Sequence, residues 1–396
     1  MPRKRRRLIL QPGLILIDKY NRLQPTIQSY YTMYKIAQRL VTRRSLVSSS
    51  RSPNLSFKTK PIQLRDLNVL YDDVESNQLL STDSNLELSS IDNANQCPYQ
   101  IQLSNTLRPF HSTQDPVLIR NFTPNFNLDH KKHPYQESDN DNHNRCNAIT
   151  KWKDLDYLES LIGYDTKCFV EMGKSYNSSM GRPEIPFGDY LSYMRLFHEQ
   201  FGSIEPDNDD IVRAEDMVII YMAQNEISTL IPYHEQQQEQ NSIKDDFIIP
   251  QLCHDSKHNV GHGQMYNSMF WFGPRTCVSP LHYDPLDNLL MQFVGRKRVY
   301  LFPNDDNSND DHNDQNNDGV QNTWHYAGQY GQQYNTSPID ILKDGSELVE
   351  TYPMFEHAPN AFECVIYPGD LLYIPKRWWH HVTSLDTAIS INVWWR

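Results

Sequence analysis

The chain has little cysteine, no long apolar run and, beyond its first sixty residues, a shortage of positive charge. Only six cysteines occur in 396 residues, and no two stand in a C-x-x-C spacing. That excludes a zinc framework, and the density is too low for a disulfide scaffold, so a reducing compartment is the plain expectation. No stretch of about 18 apolar residues exists, so no membrane span is expected. The apolar segment from Leu8 to Ile17 is short and broken by Pro12-Gly13. No internal repeat with a period of roughly 20–50 residues is visible.

Charge is unevenly spread. Residues 1–60 hold 14 Lys/Arg and one acid, Asp18, a formal +13; the net charge is -12, so the remainder carries -12 - 13 = -25. An acidic body argues against a nucleic-acid surface on the folded part and suits a basic substrate. Pro2-Arg-Lys-Arg-Arg-Arg7 resembles a nuclear localisation cluster. The leader is also Arg-rich and acid-poor, with Ser45, Ser48, Ser49, Ser50 and Ser52 after Arg43-Arg44, which fits a mitochondrial address. Five charges packed into six residues favour the nucleus, because transit peptides spread their arginines along a helix; mitochondrion and cytoplasm stand as alternatives.

Residues 1–100 read as a basic extension, with one helix expected over 27–41 from Tyr30, Met33, Tyr34, Ile36, Ala37 and Leu40. A polar linker is expected over 75–95. Residues 101–396 read as one folded domain, with order beginning near Leu107. Strands are expected at 115–121, 166–173 and 217–223, and helices at 152–162 and 187–197. From Met269 the pattern becomes short strands stopped by Gly or Pro, the mark of an antiparallel sandwich or barrel. The fold class is therefore mainly β with flanking helices (α+β), its β core at about 265–396. Polar insertions fall at 129–147 and 304–335. Within the second, Asn304 to Asp318 has six aspartates and no apolar residue, so a disordered loop is expected. Its His312-Asn-Asp314 is discounted as a site for that reason.

The chemistry-bearing stretch is Ser279-Pro-Leu-His-Tyr-Asp-Pro285. His282 and Asp284 share a face of any strand they occupy. His380 arrives 98 residues later in Trp378-Trp-His-His-Val382. Two imidazoles and a carboxylate with open positions form the ligand set of a non-haem Fe(II) oxygenase. His380 and His381 compete for the third place; His380 shares parity with Leu372, Ile374 and Val382, which favours it as the inward one. Lys297 shares a face with Val299 and Leu301. A lysine there either binds an anion or points to water at a strand edge.

Trp271-Phe-Gly-Pro, Ser-Pro-Leu-His-Tyr-Asp-Pro285, Gly295-Arg-Lys, Leu301-Phe-Pro, Tyr367-Pro-Gly-Asp, Trp378-Trp-His and Trp394-Trp follow one another in an order that resembles the JmjC-domain 2-oxoglutarate oxygenases. The likeness is to the branch of lysine-specific demethylase 8, which contains arginyl hydroxylases. It runs from about residue 107 to the end. The resemblance implies a double-stranded β-helix (jelly roll, cupin-like) core, with His282, Asp284 and His380 holding Fe(II). It implies that Lys297 pairs with the distal carboxylate of the co-substrate 2-oxoglutarate, assisted by Tyr221, Ser279 and Asn288, with Asn392 also near. Trp271 and Trp394 would line the site. Glu171 and Tyr176 match positions near a substrate pocket, where a carboxylate could pair with a guanidinium.

The activity so implied consumes O2 and 2-oxoglutarate, releases succinate and CO2, and hydroxylates a protein or peptide, with arginine the expected target. Hydroxylation beside an N-methyl nitrogen would release formaldehyde, so histone lysine demethylation is the alternative. A catalytically inactive chromatin scaffold and an RNA-base hydroxylase are further readings. The intact ligand set speaks against the first. The charge of -25 speaks against the second, since phosphate binding needs basic grooves. A chain ending just after its last strand leaves no helical dimerisation tail, so a monomer is expected.

Overall fold

The computed structural model describes residues 59–61, 64–66, 98–120, 122, 147–172, 182–201, 219–231, 242–303, 335–343, 345–353, 355, 358 and 360–396. The expected helix at 27–41, the linker at 75–95 and Tyr176 lie outside these residues, as does nearly all of both polar insertions.

The strands are β1 (Thr59–Pro61), β2 (Leu64–Asp66), β3 (Val117–Arg120), β4 (Lys167–Phe169), β5 (Glu171–Met172), β6 (Glu184–Pro186), β7 (Ile220–Glu226), β8 (Met265–Gly273), β9 (Val278–Tyr283), β10 (Asp287–Val294), β11 (Lys297–Phe302), β12 (Ala361–Ile366), β13 (Leu371–Ile374), β14 (Trp379–Ser384) and β15 (Ala388–Trp395). One sheet runs β1-β12-β11-β14-β9 and a second β2-β3-β13-β10-β15-β8-β7-β5. Pairing is antiparallel except for β1 with β12 and β2 with β3. This is the mainly β sandwich with flanking helices that the sequence leads one to expect.

Alternation along the strands explains three apolar layers. Leu290, Val299, Leu301, Ile366, Leu372 and Val382 meet between the sheets. Their neighbours Leu289, Met291 and Phe293 point the other way, under the helices. Tyr300, Phe302 and Trp379 face outward from the smaller sheet onto Ile339, Ile341 and Leu348. Thus all eight residues of β10 are buried, the signature of a strand covered on both faces. The larger sheet also draws on β3, β5 and β7, so the sheet framework reaches further back than residue 265.

Three local expectations differ from the structure. The helix expected over 152–162 begins at Leu155, because Asp154 is extended and its carboxylate caps the N–H groups of Asp156 and Tyr157. A separate short helix, Asn147–Lys151, precedes it. The single strand expected over 166–173 is split at Val170: β4 pairs with β6, and β5 with β7. The first described helix spans Pro98–Thr113, so order begins before Leu107.

Candidate functional site

β9 and β14 are hydrogen-bonded neighbours, and His282 lies directly opposite His380. The ring centroids are 4.1 Å apart. Asp284 stands just past the end of β9, its Oδ2 3.6 Å from His380 Nε2. The ligand atoms of these three residues lie within 4.8 Å of one another, and they form the one such group of His, Cys, Asp or Glu among the described residues.

Each imidazole is oriented from behind. His282 Nδ1 is 2.7 Å from the Pro280 carbonyl oxygen, and His380 Nδ1 is 2.9 Å from that of Trp378. A carbonyl only accepts, so Nδ1 is the donor in each ring and Nε2 is left for the metal, the arrangement metal-binding histidines use. Burial, with His282 alongside, holds His380 well below the usual histidine range and keeps it neutral. Asp284 Oδ2 accepts from Asn288 Nδ2 at 3.1 Å and from Trp394 Nε1 at 3.0 Å. Two imidazoles held from behind, a braced carboxylate and mutual proximity fit ferrous iron.

The neighbouring wall holds a buried cation. Lys297 is 2% exposed. Its Nζ donates to Ser390 Oγ at 2.5 Å and lies 6.0 Å from the centre of the Tyr221 ring. Burial pushes its ammonium down to about 8. It forms no ion pair among the described residues. A buried ammonium with one neutral partner calls for an anion. Nearby, Asn288 Oδ1 is buried without a hydrogen-bond partner, and Asn392 Oδ1 accepts from Trp271 Nε1 at 2.6 Å.

These groups line one pocket. It brings together His282, Asp284, His380, Tyr221, Trp271, Ser279, Asn288, Lys297, Asn392 and Trp394, with Leu290, Ile374 and Val382 as apolar walls. Ser279 shares the pocket with His282 despite standing three residues away. β9 takes three steps from His282 to Ser279 where β14 takes two from His380 to Val382, a bulge that turns Ser279 inward. His381 is buried on the other face, near Tyr300.

Glu171 stands apart from the pocket lining. It is 6% exposed, and Oε1 is 3.3 Å from Arg182 Nε. The guanidinium beside it thus belongs to the chain itself. Two partners of the candidate site residues escaped the sequence reading. Ser390 had a signal, since Ser390, Asn392 and Trp394 form a polar stripe on one face of an apolar strand. Arg182 had none.

Residues 104–396 match the cupin-like domain family. The chain is 31% identical over 250 residues to lysine-specific demethylase JMJ30 of Arabidopsis thaliana, covering 63% of this chain and 47% of that protein. It is 31% identical over 249 residues to Jumonji C domain-containing protein 5 of Drosophila melanogaster, covering 63% and 51%. It is 32% identical over 244 residues to lysine-specific demethylase 8 of Danio rerio, covering 61% and 48%. The chain thus spans about half the length of the curated relatives it matches. With a two-sheet sandwich and a His-Asp-His pocket inside it, the chain belongs to the cupin-like domain family, among its JmjC members.

Proposed function

We propose that the protein is an Fe(II)- and 2-oxoglutarate-dependent protein hydroxylase acting on arginine. The observation that carries the oxygenase reading is the meeting of His282, Asp284 and His380 with the unpaired ammonium of Lys297 in one pocket. In this reading His282, Asp284 and His380 hold the metal. When bound, ferrous iron supplies O2 activation coupled to decarboxylation of 2-oxoglutarate to succinate and CO2, which oxidises a substrate C–H bond. Lys297 pairs with the distal carboxylate of the co-substrate, and Ser390 fixes the direction of the ammonium. Asn288 and Trp394 hold Asp284 in place, and Trp271 holds the Asn392 carboxamide. Leu290, Ile374 and Val382 keep water from the inner wall.

The acidic body, at -25 outside the first sixty residues, supports a basic protein substrate and disfavours RNA. We assign the protein to the nucleus on the Pro2–Arg7 cluster. Lysine demethylation is the second reading, favoured by the names of two relatives. Protein extracts treated with active enzyme, Fe(II) and 2-oxoglutarate should gain one oxygen atom on arginine-containing peptides, as read by mass spectrometry. Loss of methyl groups from lysine, with arginine unaltered, would replace the first reading by the second.

A further inference from the structure

Beside the pocket stands a second constellation, built around Arg182. Its Nε lies 3.3 Å from Glu171 Oε1. Its Nη2 donates to the carbonyl of Ala223 at 2.6 Å and to that of Gln224 at 3.3 Å. Its Cζ is 5.7 Å from the centre of the Phe169 ring. A carboxylate, two carbonyls and an aromatic face together recognise a planar fork of N–H donors, and an ammonium satisfies them poorly.

The seat is constructed by the fold. β7 is irregular between Met222 and Asn225, and Gln224 within that stretch has φ 49°, a left-handed conformation uncommon for a residue with a side chain. Such a bulge re-aims backbone groups, here the two carbonyls that Arg182 meets. Asn225, 1% exposed, pins the bulge to β4: its Oδ1 accepts from the Phe169 N–H at 2.7 Å and its Nδ2 donates to the Phe169 carbonyl at 2.8 Å. Glu171 Oε2 is buried and has no hydrogen-bond partner, so Arg182 engages one carboxylate oxygen of two. Burial, opposed by Arg182, pushes the Glu171 carboxyl up to about 7. Glu171 lies opposite Tyr221 across the β5–β7 ladder, and opposed residues share a sheet face. Tyr221 lines the pocket, so the seat abuts its wall.

We propose that Arg182 is an internal occupant of a guanidinium seat formed by Phe169, Glu171 and the Ala223 and Gln224 carbonyls, and that an arginine of the substrate must displace it. This rests on the arginine reading above and adds that the enzyme carries its own competitor. The Arg182 side chain is 40% exposed and the Glu171 side chain beneath it 8%, so the occupant covers the seat from the solvent side. Apparent substrate affinity is then reduced by the fraction of time the seat is vacant.

The test is calorimetric binding of acetyl-Gly-Arg-Gly-amide, and of its lysine counterpart, to the full chain. Wild type, Arg182→Ala, Glu171→Gln and the double variant are compared, with thermal melting of each. Arg182→Ala should bind the arginine peptide about tenfold more tightly. The lysine peptide should show no gain, and Glu171→Gln should abolish the gain in the double variant. Arginine-peptide binding that is unchanged or weaker in Arg182→Ala overturns the proposal and leaves Arg182 a structural pin. Where Arg182→Ala fails to fold, Arg182→Lys carries the same expectation at smaller size, because it keeps the charge and loses the fork; no gain there overturns the proposal equally. The two readings fail separately. Tighter binding without oxygen added to arginine removes the hydroxylase reading alone. Oxygen added to arginine without tighter binding removes the occupant alone.

Discussion

The indole N–H of Trp394 donates to Oδ2 of Asp284 at 3.0 Å, tying the final strand to the carboxylate of the His-Asp-His triad. A tryptophan that the sequence marks only as a lining residue thus also orients the Asp284 carboxylate. Trp394→Phe keeps the ring and removes the donor. Fe(II) affinity, titrated with the purified chain, should fall about 10–100-fold while the melting temperature stays near that of wild type. Unchanged affinity would make the bond incidental.

His282→Ala removes a ligand outright. Peptide-independent succinate production from 2-oxoglutarate should drop by more than about 100-fold, beyond the loss expected from an orienting residue. Metal analysis of the same preparation should show iron content falling in parallel. Succinate output at the wild-type rate would refute the assignment of the triad.

Lys297→Met replaces a buried ammonium by an apolar chain of similar length. Binding of 2-oxoglutarate should weaken by about 10-fold or more, the worth of a charge-assisted hydrogen bond. Thermal stability should hold or rise, because desolvation of the charge no longer opposes folding. A variant that melts much earlier and still binds the co-substrate would give Lys297 a structural role.

The same lysine sets a pH dependence. Burial lowers its value to about 8, so the charged form needed to grip a carboxylate is lost above that pH. kcat/KM for 2-oxoglutarate should be flat below about pH 8 and fall toward tenfold per unit above it. Stability runs the other way. Between about 8 and the ordinary lysine value of 10.5 the unfolded chain binds the extra proton, so this group's contribution to stability rises with pH. A rate profile without a break near 8, measured at subsaturating co-substrate, would contradict this.

Gly295 joins β10 to β11 with φ 66°, and a Cβ there would sit 2.1 Å from the carbonyl oxygen of Thr387. Gly295→Ala should cost roughly 2–4 kcal/mol in chemical denaturation, the range for forced backbone strain joined to a clash. Lys297 follows two residues later, so co-substrate binding should suffer as well.

Much of the site was legible because strands repeat every two residues. Parity alone sets Lys297 on one face with Val299 and Leu301 and separates His380 from His381; whether Lys297 turns to an anion or to water it leaves open, and the structure buries it in the pocket with His380. Parity misleads where the ladder is irregular, so Ser279 reaches the pocket only through a bulge that no alternation announces. The helix expected from Trp152 starts three residues later, at Leu155, because Asp154 is extended and its carboxylate caps the first turn. Arg182 could not be read at all, because its partners come from β5 and from a left-handed turn in β7 that sequence spacing does not bring together.

On the outer side of β9, His282 forms a bridge with Thr336, the Tyr283 N–H donates to the Asn335 carbonyl, and the Ser337 N–H donates to that of Leu281. On the near side of the polar insertion, β11 is laddered to both β12 and β14. Both ends of the insertion are therefore stitched independently to the strands that carry the site. His282 and Asp284 come from the chain before the insertion and His380 from the chain after it, so the three-residue cluster closes only through the ladders that set β14 between β9 and β11.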